Sequence, residues 1–205
     1  MLKNICFVFL AIILLPSLSF GKVKTIYASH KYIMGDNDSK NDTRKMCFIE
    51  AKRKALEMAG TYIRSNTGIK NLQLTKDEIT IYSSALLKVE TVKEKWKFIG
   101  ENLAVFLTVK AEVDTGYLEG QLSKIKNDTS VQKKITNQQR RLQQLERTVV
   151  ELQKQLGAVD STKAATLRKE RNVTFKQIDK LLAKKIAILS VIKAKSKSVR
   201  KYIAI

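Results

Sequence analysis

Between Val131 and Val159 apolar residues recur at alternating steps of three and four. With Ile135, Leu142, Val149 and Leu156 at heptad position a, position d falls on Val131, Gln138, Leu145, Leu152 and Val159. Four such heptads predict a helix that buries a narrow seam against other helices, ~43 Å long at the α-helical rise. A shorter stripe, Leu118, Leu122 and Ile125, precedes it out of phase. Asn127-Asp128-Thr129 lies between the two and predicts a break, with Thr129 and Gln132 forming a fresh cap. Gly157 to Ser161 reads as the end of the rod, with Asp160 or Ser161 capping a last helix. That helix runs from about Thr162 past Ile192 and shows a broad apolar face: Leu167, Phe175, Ile178, Leu182, Ile186, Leu189 and Ile192.

Upstream the pattern changes. Val23 to Ile33 is rich in β-branched and aromatic residues and predicts a strand. The polar run Gly35 to Asp42 leads into a helix over about Thr43 to Arg64, with acidic side chains near its N-terminus. Phe48, Ala51, Ala55, Met58, Ala59 and Tyr62 form the inner face of that helix, and Lys45, Lys52, Arg53 and Glu57 its other side. Thr75-Lys76-Asp77-Glu78 has capping-box spacing and opens a helix to Leu86 or Leu87. Val89 to Ile99, with Trp96 and Phe98 on one face, turns at Gly100-Glu101-Asn102 into Ala104 to Val113, a hairpin. The expected fold class is α+β: a small β-α-α-β-β domain with an antiparallel sheet (residues 22–117), then a long helical coiled-coil or helix-hairpin arm. Residues 118–159 form the coiled-coil helix and 160–205 a basic amphipathic helix.

The first 21 residues read as a leader. Lys3 supplies a positive start, Ile5 to Leu15 is apolar but short for a bilayer span, and Ser19-Phe20-Gly21 offers a cleavage site before Lys22. The mature chain is then periplasmic or attached to the cell envelope. Cys6 leaves with the leader, so Cys47 is the only mature cysteine and is expected as a buried thiol on an apolar helix face.

Charge is uneven. Residues 22–120 carry 17 Lys/Arg against 13 Asp/Glu, while residues 121–205 carry 21 against 6. A polycationic C-terminal part attracts polyanions through salt-screened forces. Export makes nucleic acid an unexpected partner and leaves anionic lipid, lipopolysaccharide or an acidic protein. Lys176, Lys180, Lys184, Lys185, Lys193, Lys195, Lys197, Arg200 and Lys201 are the candidate anion-binding residues of a membrane-adsorbing helix. On a helical wheel Lys185, Lys193 and Arg200 intrude into its apolar arc.

The opening strand, the helix segment Glu50-Ala51-Lys52-Arg53-Lys54-Ala55-Leu56 and the strand ending Leu107-Thr108-Val109-Lys110-Ala111-Glu112-Val113-Asp114 suggest a family. Over residues 23–115 the chain resembles the N-terminal domain of flagellar assembly protein T and its small lipoprotein relatives. The resemblance implies a protein-interaction or assembly module of the periplasm or outer membrane. A helical segment replaces the flagellar protein's further domains, so a flagellar role is not implied.

Within the rod, Arg141 at g and Glu146 at the next e bracket Leu142 and Leu145, a pattern that resembles parallel three-stranded coiled coils. Self-association as a dimer or trimer through Val131, Ile135, Leu142, Leu145, Val149, Leu152, Leu156 and Val159 is one arrangement. An antiparallel hairpin with the last helix is the other, and the breadth of that helix's apolar face favours it. No enzyme signature stands out: His30 is the only histidine, and no phosphate loop or nucleophile elbow is present. Asp36, Asn37, Asp38 and Asp42 hint at a calcium loop, but Lys40 and Cys47 occupy positions where ligands belong. Neither a cofactor nor a metal is expected. The chain reads as a non-enzymatic scaffold or interaction protein, or alternatively as a peripheral binder of anionic membrane or lipopolysaccharide.

Overall fold

The computed structural model describes residues 23–159 and 161–203, the stretch from Ile186 onward as backbone only. The expected leader and the capping candidate Asp160 lie outside the described residues. Among these the fold is α+β, with three strands and six helices. Strands β1 (Val23–Ile33), β2 (Val89–Ile99) and β3 (Asn102–Asp114) form an antiparallel sheet in the order β1-β3-β2. The β1–β3 register runs from Val23 opposite Asp114 to Ile33 opposite Ala104. Period-2 alternation puts Ile26 and Ala28 on one face with Val105, Leu107, Val109, Ala111 and Val113, all buried. Gly100 makes the β2–β3 turn at φ +59°, a left-handed conformation that costs glycine little. A bulge between Thr91 and Lys93 then brings Trp96 onto the buried face and Lys93, Lys95 and Lys97 onto the open one.

Helix α1 (Lys40–Ser65) lies across the buried face. Ser39 caps it, and Asp42 completes the capping box. Ala51 and Ala55 meet Ala28 and Val109, short side chains that let helix and sheet approach closely there, with Phe48 packed beside them. Cys47 is fully buried beside them; its Sγ donates to the His30 carbonyl at 3.2 Å, and burial pushes the thiol's pKa up. Two assignments of the α1 faces change. Met58 is 52 % exposed, and Lys52, expected on the polar side, is buried because further helices cover that side. A short helix α2 (Thr67–Asn71), which the hydrophobic pattern does not announce, precedes α3 (Lys76–Leu86), which Thr75 and Glu78 cap as the spacing predicts.

The remaining helices are α4 (Thr115–Lys126), α5 (Thr129–Leu156) and α6 (Ser161–Ile203). The break falls at Asn127-Asp128, and the cap is Asp128 rather than Thr129: its carboxylate accepts from the Ser130 and Val131 amides, both at 3.0 Å. Helices α5 and α6 run antiparallel against each other, and α5 also packs on α3 and α4. Val131 and Ile135 join Leu118, Leu122 and Ile125 of α4 and Tyr82 of α3 in one core. Further along, Leu142, Leu145 and Val149 pack between Phe175 and Ile178 of α6 and Met46 and Ile49 of α1. The helical pair is thus folded back onto the α/β part. Because α1 carries an apolar strip on the side away from the sheet, it offers the seam a surface within the same chain.

A buried ionic cluster fixes this docking. Arg171 of α6 is fully buried, as is the Asp38 side chain that it meets. One guanidinium nitrogen donates to Asp38 and to the Gln153 side-chain oxygen of α5. The other donates to Asp42 at 2.9 Å and to the Asn37 carbonyl at 3.3 Å. Asn37 in turn donates to the Leu156 carbonyl at the end of α5. Burial, and next the Asp38 charge, hold the Tyr32 hydroxyl's pKa well above its usual value, with Arg171 opposing. Arg171→Met would leave Asp38 buried without its cation and is expected to cost about 3–5 kcal/mol in urea unfolding. Adding Asp38→Asn should recover part of that loss, because the two changes share one interaction. A wild-type midpoint for Arg171→Met would show that the cluster does not hold the helices in place.

Candidate binding surfaces

The seam residues face the chain's own interior. Ile135, Leu142, Leu145, Val149, Leu152 and Leu156 are buried, and Val131 and Val159 half-buried. Gln138, the polar d position, donates to the Leu181 carbonyl at 3.0 Å and so fixes the register of α5 against α6. Arg141 is exposed and donates to Gln144. Glu146 accepts from Lys52 of α1, with the two side chains only 16 % and 11 % exposed. In place of an Arg141–Glu146 pair between chains, the structure makes a Lys52–Glu146 pair within one.

That pair sits in the floor of a groove of about 690 Å³ between α1 and α5. Ile49, Leu56 and Val150 supply apolar floor, and Gln139 adds a buried amide. The rims mix charges: Arg64, Arg147 and Lys154 stand near Glu57 and Glu151. Arg53 bonds Glu50 at 2.9 Å and Glu57 at 2.7 Å, so part of this charge is neutralised locally. The groove's lining contains no histidine or cysteine.

The basic residues of α6 divide. Lys176, Lys180 and Lys184 are exposed and, four apart, form one stripe. Lys185 does not belong with them. Its Nζ donates to the Ser84 carbonyl at 2.9 Å and the Leu87 carbonyl at 3.2 Å, closing the C-terminal end of α3. One residue past Lys184, the helix has turned by about 100°, which carries Lys185 round to the domain side. Burial pulls its pKa down to about 8, Lys52 adding to the effect and Glu146 opposing it. Lys193, Lys195, Lys197, Arg200 and Lys201 follow on backbone that is helical through Ile203, their side chains outside the described residues. Asp179, the acid among these cations, pairs with Lys45 of α1 at 3.1 Å.

The calcium-like carboxylates Asp38 and Asp42 face the Arg171 guanidinium. His30 is half-buried, its pKa lowered first by burial and then by Lys54. Among the described residues no group of three or more His, Cys, Asp or Glu side chains is placed to hold a metal ion, and no helix is long and apolar enough to cross a membrane. Two docking residues carried a signal in the sequence. Lys185 breaks the apolar arc of its helix, and Arg171 stands four residues from both Leu167 and Phe175, inside the stripe. Lys52 had none, because the groove side of α1 becomes an interior only once α5 covers it.

The depressed Lys185 pKa has a stability consequence of definite sign. The unfolded chain binds this proton up to about pH 10.5 and the folded chain only to about 8, so folding gains relative stability as pH rises between those values. The difference in unfolding free energy between wild type and Lys185→Met is expected to move in favour of wild type by about 2 kcal/mol from pH 8 to pH 10, measured by urea titration. A constant difference across that window would show that Lys185 titrates normally. Comparison of the chain with family models, with curated proteins and with solved structures returns no match.

Proposed function

We propose that the chain is a non-enzymatic, exported envelope protein that binds anionic surfaces, lipid or lipopolysaccharide headgroups, through the outward cations of α6. The observation that carries this reading is the division of labour on that helix. Phe175, Ile178 and Arg171 are spent on docking, while Lys176, Lys180 and Lys184 point outward. Helix α6 has 43 residues against 28 in α5, so it has length beyond its packing partner for the five further cations from Lys193 to Lys201. In this reading residues 22–117 are the assembly-type domain, and the helix hairpin is a rigid mount. The envelope-module resemblance over residues 23–115 is in keeping with it.

The scaffold reading retains one observation in its favour, the mixed-charge groove between α1 and α5, which fits a protein segment bearing both signs of charge. Self-association through the α5 seam has less support, because the seam packs against α1, α3, α4 and α6.

Each lysine near an anionic surface contributes about 1 kcal/mol, so Lys176→Glu/Lys180→Glu/Lys184→Glu should weaken binding to phosphatidylglycerol vesicles by at least about a hundredfold. Co-sedimentation of the full chain measures this. Binding should fall steeply at high salt and be absent with phosphatidylcholine alone. Equal pelleting with both lipids, or wild-type affinity of the triple variant, would contradict the proposal.

A further inference from the structure

Away from α6, the tip of the β2–β3 hairpin carries a second concentration of unpaired chemistry. Phe98 is 74 % exposed, and Ile99 beside it and Ile33 on the adjoining end of β1 are also open. By alternation Phe98 shares the face of Trp96, whereas Ile99 and Ile33 share the uncovered face, on which cross-strand rows can be read from the register. Lys97 and Ile33 flank Ala104, Lys95 and Lys31 flank Phe106, and Lys93 and Ser29 flank Thr108. Four lysines thus stand within three rows of an apolar tip, and all four are exposed. Toward the far end of the same face the charges are balanced: Lys110 pairs with Glu112 at 2.8 Å, and Lys88 with Glu90. Acids toward this end include Glu101, in the turn itself, exposed Asp36, three residues past Ile33, and Glu94, which Arg44 holds with bonds of 2.8 and 2.9 Å.

Lysines on an edge strand also discourage pairing with a second chain. That role extends to Lys31 on the other edge strand, but it does not explain a phenylalanine left in water at the turn. An apolar tip collared by cations matches a bilayer with anionic headgroups, where aromatic rings settle at the boundary and lysines reach the phosphates. We infer that the β2–β3 hairpin tip is a membrane contact in its own right. Phe98 and Ile99 enter the headgroup–acyl boundary of an anionic bilayer, and Lys31, Lys93, Lys95 and Lys97 engage its phosphates. This contact shares its partner with the proposal for α6 but none of its residues. The α6 stripe runs from Lys176, next to the Phe175 that packs with Tyr32, to Lys184, next to the Lys185 that bonds the Leu87 carbonyl just before β2 begins.

The chain's only tryptophan is Trp96, two residues from the tip. Trp96→Phe/Phe98→Trp moves the sole indole to the tip without adding a second. Its emission should shift to the blue with phosphatidylglycerol vesicles, be quenched by lipids brominated in the acyl chain, and stay unchanged with phosphatidylcholine. In an otherwise native chain, Phe98→Ser/Ile99→Ser should lower the vesicle partition coefficient by about tenfold or more. Both effects should persist when Lys176, Lys180 and Lys184 are replaced by Glu. Vesicle binding with an unshifted indole and an unaffected Phe98→Ser/Ile99→Ser variant would overturn the tip contact and leave the α6 reading standing. Weakening by Phe98→Ser/Ile99→Ser alone, with the α6 triple variant binding as wild type, would support the tip and overturn α6. Absence of binding to anionic vesicles would overturn both.

Discussion

The apolar seam of α5 has to be hidden from water, and where it is hidden decides the character of the molecule. Six of its residues are buried against the chain itself: Ile135 among α3 and α4, Leu142, Leu145 and Val149 between α1 and α6, with Leu152 and Leu156 beyond. Burying a leucine or valine contributes about 1.5–3 kcal/mol relative to leaving it exposed, so the seam is a large share of what a marginally stable fold has to spare. With that share used internally, α5 is a core helix shared between the α/β part and the hairpin. Its polar flank remains, and there the Lys52–Glu146 pair forms the floor of the α1–α5 groove.

The hydrophobic contact alone would tolerate sliding, since a stripe of leucines offers several registers. The polar groups around it do not. Gln138 bonds the Leu181 carbonyl, Lys185 closes the end of α3, and Arg171 reaches two carboxylates of the loop and first turn that precede and open α1. Each bond ties α6 to a different element. Buried ionic groups of this kind contribute little net stability, yet misalignment is expensive because every shifted register strands a charge. In this molecule they fix which side of α6 faces inward, and therefore which lysines face out. The division between Lys184 outside and Lys185 inside follows from one step of helical rotation applied to that fixed orientation.

Much of this was legible in the sequence, and the part that was not has a common cause. Strand alternation, the Thr75 capping box and the Gly100 turn are local, and the chain writes them in adjacent residues. The break before α5 was also visible, though its cap lies at Asp128 because an aspartate side chain reaches two amides of the first turn. The heptad seam announced that something apolar would cover it without saying what. A parallel trimer, an antiparallel hairpin and docking on α1 all satisfy the same spacing. The choice depends on the second side of α1, where Met46 and Ile49 are too few to read as an apolar face and Lys52 reads as solvated. Arg171 and Asp38 are 133 positions apart, and no local pattern pairs them. For the candidate surfaces, the α6 lysines could be named from composition, whereas the lysine collar of the hairpin tip needed the bulge at Thr91/Lys93 and the register to β1.

Amide hydrogen exchange across α5, followed at two protein concentrations a hundredfold apart, tests the central claim most directly. If the seam is buried within one chain, the amides from Ile135 to Leu156 should be protected to the same extent at both concentrations, and about as strongly as the middle of α1. Protection that appears only at the higher concentration would mean that a second copy covers the seam. Rapid exchange at both would mean that α5 stands away from the domain, and either result would contradict the account.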